Sequence, residues 1–261
     1  MKVWAVANQK GGVGKTTSAV SLAGILAQRG MRVLLIDIDP HGSLTSYFRY
    51  NPDDLDSSVF TLFQNQAVNP FSLVRPTRFE RLHIMPATMA LATLDRQLGA
   101  KSGMGLVLQK ALKTLADKYD YALIDCPPML GVLMVNAMAA CNHLIIPVQT
   151  EFLALKGLER MLKTLTMITR SRSVNLPYTI VPTLFDRRTR ASTETLRILR
   201  TRYSDVLWKS VIPVDTQFRE ASRMGVPLPM LLPQSRGVIA YTRLLDMLVS
   251  ENAIQREAVM I

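Results

Sequence analysis

At 261 residues and 48% apolar composition, the chain is long enough for one large domain with a substantial buried core. Its net charge of +11 and pI near 10.0 argue against an enzyme of small neutral metabolites and for an anionic partner, nucleic acid or a membrane surface. The only cysteines, Cys126 and Cys141, supply neither a disulfide framework nor, by themselves, a metal set, and their apolar neighbours mark them as buried free thiols.

In chain order, short β-rich runs alternate with helical patterns. KVWAVAN (2–8) reads as a buried strand, followed by a glycine loop and a helix over 16–29, then a strand over 32–39. The stretch 51–80, rich in Asn, Pro and Asp, reads as an irregular excursion from the sheet. Strands follow at 82–87, 121–126, 143–149 and 178–185, with helices at 89–98, 105–118, 131–141, 155–170, 189–203 and 237–251, and a C-terminal tail over 250–261. This βα order predicts an α/β fold: a doubly wound, mostly parallel sheet with helices on both faces and ligands at the carboxyl ends of the strands. No linker divides the chain, so a single domain over 1–261 is expected.

The opening MKVWAVANQK has only five apolar residues in a row, too few for the apolar core of a secretion signal. The longest apolar stretch, 129–141, is broken by Asn136 and falls well short of a membrane span. A cytoplasmic protein is expected. Between Lys156 and Arg223 there are 14 Lys/Arg against 6 Asp/Glu, so most of the basic excess is local. Within it, DRRTRASTETLRILRTR (186–202) carries Arg187, Arg188 and Arg190 at a loop–helix junction, with Arg197 and Arg200 further along the helix. Arg190 and Arg197, seven residues apart, share a helix face.

The sharpest motif is NQKGGVGKTT, residues 8–17, between the first strand and the first helix. Glycines there let backbone N–H groups curl around phosphate oxygens, and the helix offers its positive N-terminus to the same anion. Lys15 is expected at the β- and γ-phosphates, Thr16 on Mg²⁺ through its hydroxyl and Thr17 beside an inner phosphate, with Gly11, Gly12, Val13 and Gly14 lining the cradle. The ordinary loop would have its first glycine at position 9, which is Gln9, and it would not need Lys10.

With K-G-G-x-G-K-T-T the chain resembles the deviant phosphate-loop ATPases of the ParA/MinD family, and most closely the ParA-type partition or positioning ATPases. The resemblance implies ATP and Mg²⁺ as ligands, and implies that Lys10 reaches across a two-fold interface to the nucleotide of a second subunit, making the protein a homodimer on ATP binding. A second cation at the γ-phosphate neutralises charge, and it arrives only when two ATP-loaded subunits meet. LLIDIDPHGSLT (34–45) resembles the family's first switch, which gives Asp39 the position that orients the attacking water near Mg²⁺ and Asp37 a structural one. His41 stands there in place of the usual glutamine. YALIDCPPMLG (121–131) resembles the Walker B strand and second switch, where Asp125 would hold Mg²⁺ through a water. VIPVDTQFREASRMGVPL (211–228) resembles the segment that passes the base, so the Pro213 backbone and Asp215 would read an adenine edge.

The same resemblance implies non-specific DNA binding, for which the basic stretch offers Arg187, Arg188, Arg190, Arg197, Arg200 and Arg219, together with a stimulating partner protein and a cargo that is a plasmid or chromosome partition complex or a polar chemotaxis cluster. The protein would then be nucleoid-associated or polar. Its MinD-type relatives cycle on membranes through a basic amphipathic tail; here VSENAIQREAVMI has two acids and one base, so membrane binding is not expected and this reading ranks second. Metabolic relatives, an iron–sulfur reductase or an amidating synthase, rank third.

Overall fold

The structure is a computed structural model that describes residues 1–94, 104–169 and 176–259. Its strands are β1 (Lys2–Val6), β2 (Val33–Asp37), β3 (Arg75–Pro76), β4 (Leu82–Met85), β5 (Tyr121–Asp125), β6 (His143–Gln149) and β7 (Tyr178–Thr183). They form one sheet in the order β3-β4-β2-β5-β1-β6-β7, parallel throughout except for the short β3 at the edge. Alternate side chains go to opposite faces, as a pleated strand requires. On β1, Val3 and Ala5 join one core while Trp4 and Val6 join the other; on β5, Ala122 and Ile124 part in the same way from Tyr121 and Leu123.

The helices α1 (Lys15–Gln28), α2 (Ser43–Tyr47), α3 (Val59–Gln64), α4 (Val107–Thr114), α5 (Val132–Ala140), α6 (Phe152–Thr169), α7 (Arg190–Arg202), α8 (Gln217–Met224), α9 (Leu228–Leu231) and α10 (Arg236–Val259) cover both faces. Leu22 and Leu26 of α1 pack with Tyr241, Leu244 and Leu248 of α10 on one side. Leu108, Met134, Leu158 and Leu199, from α4, α5, α6 and α7, build the other. Both cores are aliphatic-rich and closed to water, which is what a sheet covered on two faces demands.

The predicted fold class holds, with local corrections. Strands end earlier than their apolar runs, β2 at Asp37 and β7 at Thr183, because the chain turns there to build loops at the carboxyl edge. The excursion at 51–80 is more ordered than its composition suggests. Ser58 accepts from the Phe60 N–H, Thr61 accepts in return from the Ser58 N–H, and this capping pair starts α3, which sinks Val59, Leu62 and Phe63 into the core. The 89–98 pattern forms a 3₁₀ turn at Met89–Thr93, and its last positions lie outside the described residues, as does residue 170. The last helix continues to Val259 through what reads as a tail, since the stretch lacks Gly and Pro and is rich in good helix formers.

His143, at the start of β6, is buried with Nε2 2.8 Å from Thr179 Oγ1 on β7, and burial pushes its pKa down to about 4. Between the ordinary 6.5 and that value the unfolded chain takes up a proton that the folded chain refuses, so this group's contribution to stability is lost as pH falls through the window. From about pH 7.5 to about pH 4.5 the loss amounts to about 2 to 3 kcal/mol. The urea midpoint of His143→Gln should therefore fall less on acidification than that of the parent chain; parallel curves would refute the assignment.

Candidate functional site

The register of the central strands gathers the site. Val6 at the end of β1 pairs with Asp125 of β5, and Asp125 pairs with Asp37 of β2, so the phosphate loop and two aspartates share one row at the carboxyl edge. In the loop, Gly12 and Gly14 have φ of +72° and +89°, a left-handed backbone open to glycine, and Gly14 caps α1. Thr183 Oγ1 donates to the Val13 carbonyl at 2.8 Å, fastening the loop to the end of β7. Ser18 Oγ donates to the Gly14 carbonyl at 2.7 Å and lies 2.8 Å from the Tyr241 hydroxyl, so α10 braces the loop from below. Burial pushes the Tyr241 phenol up, keeping it a neutral hydrogen-bonding group.

Thr16 Oγ1 donates to Asp125 Oδ2 at 2.6 Å, while Asp125 Oδ1 is buried and has no hydrogen-bond partner among the described residues. Burial first, and then Asp37, push the Asp125 carboxyl up. A hydroxyl and an under-satisfied buried carboxylate side by side are the donor set a hard divalent cation takes, and its charge would offset the desolvation. These residues therefore fit Mg²⁺.

Asp37 is buried and braced: it accepts from the Thr45 N–H at 2.8 Å, the Thr45 hydroxyl at 2.7 Å and the Asp39 N–H at 3.1 Å. Burial pushes its carboxyl up, and the Thr45 bonds oppose that. The switch segment is thus pinned just before Asp39, whose side chain is 14% exposed at the cleft. Asp39 Oδ1 accepts from the His41 N–H at 3.0 Å and lies 2.9 Å from His41 Nδ1. The His41 ring stands out in solvent at the rim.

These groups border a cleft of about 540 Å³. Of the residues assigned to ATP from the sequence, Gly11, Gly12, Gly14, Lys15, Thr16, Thr17, Pro213 and Asp215 all line it, and Asp39 does too. Val13 lies buried beneath the loop and Asp125 beneath Thr16. Lys15 Nζ is 3.2 Å from the Lys10 carbonyl. Asp215 already braces two helix starts, Oδ1 accepting from the Gln217 N–H at 3.0 Å and Oδ2 from the Gly237 N–H at 3.1 Å. Lys10 stays outside the cleft lining, its ammonium paired with Glu151 just ahead of α6.

The six arginines assigned to DNA do not form one group. Arg219 lines the cleft beside the glycine loop. Arg187 and Arg188 border a neighbouring groove that shares Pro213 and Asp215 with it. Arg190, Arg197 and Arg200 are exposed along α7. Arg188 and Arg197 are paired in solvent, with Asp186 and Glu194, both at 2.7 Å. Tyr241 and Glu151 escaped the sequence reading: each meets the loop across more than a hundred residues, and neither sits in a motif. Both cysteines are buried as expected, and burial pushes the Cys126 thiol well up.

A family model described as an AAA domain matches residues 1–177. The chain is 36% identical over 241 residues to the sporulation initiation inhibitor protein Soj of Bacillus subtilis, which spans 92% of this chain and 95% of that protein. It is 34% identical over 253 residues to the chromosome partitioning protein ParA of Caulobacter vibrioides, covering 96% and 94%. Among solved structures, cobyrinic acid a,c-diamide synthase from Mycobacterium smegmatis with bound ATP analogue and magnesium matches with a TM-score of 0.82 and 34% identity, covering 95% and 94%.

Proposed function

The chain belongs to the ParA/Soj family of partitioning ATPases, and from that premise we propose an ATP-switched dimer that binds DNA without sequence preference and segregates a partition cargo. The observation that carries this reading is the meeting of Lys15, Thr16, Asp39 and Asp125 at one cleft while a second lysine, Lys10, stays at its rim. A cation outside its own cleft is best used in a partner's.

The loop amides and Lys15 hold the phosphates of ATP, and Thr16 with Asp125 holds Mg²⁺, which when bound neutralises charge on the transferred phosphoryl group. Asp39 orients the attacking water. The Pro213 carbonyl, with a free lone pair on Asp215, reads the amino edge of adenine. Among the described residues the cleft offers no base beyond Asp39 and the solvent-exposed His41, so intrinsic hydrolysis is slow, and a stimulating partner protein resets the dimer. The cargo we assign is a chromosome partition complex, the role carried in the relatives' names, in preference to a polar chemotaxis cluster.

The DNA-facing surface is α7 with its leading loop. Its arginine pairs are solvent-exposed and exchange readily for phosphates, which carry affinity and no sequence information. Reversing charge at Arg197 and Arg200 should weaken DNA binding evenly across sequences and flatten the log–log salt slope by about 2 per protomer. An unchanged slope would move the surface elsewhere. The wider test compares sedimentation with ADP, ATP and a non-hydrolysable analogue, with DNA and anionic liposomes in parallel. Association with DNA in the ATP states alone supports the proposal, and association with liposomes instead would make the protein a membrane-cycling relative. No helix of the described residues is long and apolar enough to cross a membrane.

The synthase named among the structural neighbours suggests a second reading. Covalent catalysis through a cysteine would require a reachable thiolate, and Cys126 and Cys141 are 0% and 6% exposed. Burial equally keeps them from bridging a cluster between subunits.

A further inference from the structure

Lys10 is held more closely than a rim lysine needs to be. Its N–H donates to the buried Asn8 Oδ1 at 3.0 Å, and Asn8 Nδ2 donates to the Pro147 carbonyl of β6 at 2.7 Å. Gln9 Nε2 donates to Thr164 of α6 at 2.7 Å. On the same helix Gly157 faces the Lys10 side chain so closely that a Cβ there would lie 3.3 Å from Lys10 Cβ. Glu151, just before α6, pairs with the ammonium; the two side chains are 26% and 38% exposed. The next two residues, Phe152 and Leu153, are each 67% exposed, an apolar step beside the pair.

We propose that Glu151 is a positioning residue for Lys10: in the free chain it holds the ammonium in cis, and assembly of the ATP dimer transfers that ammonium from Glu151 to the partner's phosphates. This rests on the reading of Lys10 as a cross-subunit cation and adds a resting state to it. The Asn8, Gln9 and Gly157 contacts fix the Lys10 backbone and Cβ, so the exchange needs only a swing of the side chain. A carboxylate of one charge is outcompeted by a triphosphate, so the transfer runs forward when ATP is bound and backward after hydrolysis. Glu151 thereby sets the threshold at which nucleotide drives assembly. A partly exposed pair of this kind shifts an equilibrium by about 1.5- to 5-fold, and a symmetric dimer opens two of them, giving roughly 2- to 25-fold in the dimer dissociation constant.

The experiment uses Glu151→Gln and Glu151→Ala in the full chain, with two readouts. Acylation of the Lys10 amine in the nucleotide-free protein, followed by mass spectrometry against Lys156 as internal reference, should rise in both variants. Sedimentation with a non-hydrolysable ATP analogue should give tighter dimers by the factor above. Unchanged labelling would overturn the cis pairing. Raised labelling with an unchanged dimer constant would overturn the threshold, and weaker dimers would mean that Glu151 serves the assembled site instead. Lys10→Ala run alongside separates the two layers: if it dimerises like the parent chain, the cross-subunit reading itself fails, whatever the Glu151 variants do to labelling.

Discussion

Asp39→Ala should lower steady-state ATP turnover by about 10²- to 10⁴-fold, the range lost when a group that positions or deprotonates the nucleophile is removed. Nucleotide binding should stay within a few-fold, because the proposed grip on the phosphates comes from the loop and Lys15 rather than from Asp39. The variant should accumulate as an ATP-bound dimer, read by phosphate release and sedimentation together. The geometry makes the separation clean. Asp39 side-chain contacts among the described residues are made by Oδ1 with His41, leaving the other oxygen uncommitted. Its backbone, in contrast, hangs on Asp37, and Asp37 on Thr45, whose hydroxyl also accepts from the Ala87 N–H at 2.9 Å. Removing the Asp39 carboxylate therefore deletes chemistry and leaves the bracket standing. Asp37→Ala would do the reverse, stranding buried donors at about 1 to 3 kcal/mol each, and should appear first as lost thermal stability. If Asp39→Ala hydrolyses ATP at the parent rate, the water is oriented by another group.

How much of this was legible in the sequence depends on the range of the interaction. The backbone of the glycine loop was legible in the sequence, because a turn that presents N–H groups to an anion needs glycine at positive φ, and Gly12 and Gly14 occupy those positions. The strands were legible because burial on both faces demands unbroken apolar runs, as in VLLID and YALID. Their ends were not, since Asn8 and Cys126 look locally like strand but belong to the loops that turn out over the edge. α3 was hidden by the Asn, Pro and Asp around it, although Ser58 and Thr61 carried a short-range capping signal. The supports of the site left no local trace at all. Tyr241 bracing Ser18, Thr183 holding Val13 and Glu151 pairing with Lys10 are contacts between elements far apart in sequence, made neighbours by the order of the strands. Arg219 illustrates the converse: charge assigned it to the basic set, and only the path of α8 beside Pro213 brings it to the cleft beside the glycine loop.

Lys10→Ala carries the other large effect. ATP-dependent dimers should be lost at concentrations where the parent chain is fully dimeric, and partner-stimulated turnover should fall by about 10³- to 10⁵-fold, the range found when a cation supplied in trans at a transferring phosphoryl group is removed. Binding of Mg-ATP to the single chain should persist, because Lys15, Thr16 and Asp125 remain and Lys10 does not line its own cleft. Lys15→Ala is the contrasting variant, since Lys15 is 8% exposed inside the loop and its loss should remove nucleotide binding itself. Measuring nucleotide affinity by fluorescence titration and dimer fraction by sedimentation on both variants distinguishes a lysine that binds ATP from one that reports ATP to a second subunit. A Lys10→Ala chain that dimerises and turns over like the parent would leave the lysine a surface group tied to Glu151. A chain that binds Mg-ATP normally and stays monomeric would tie the switch to Lys10, the loop lysine that the cleft's own lining leaves out.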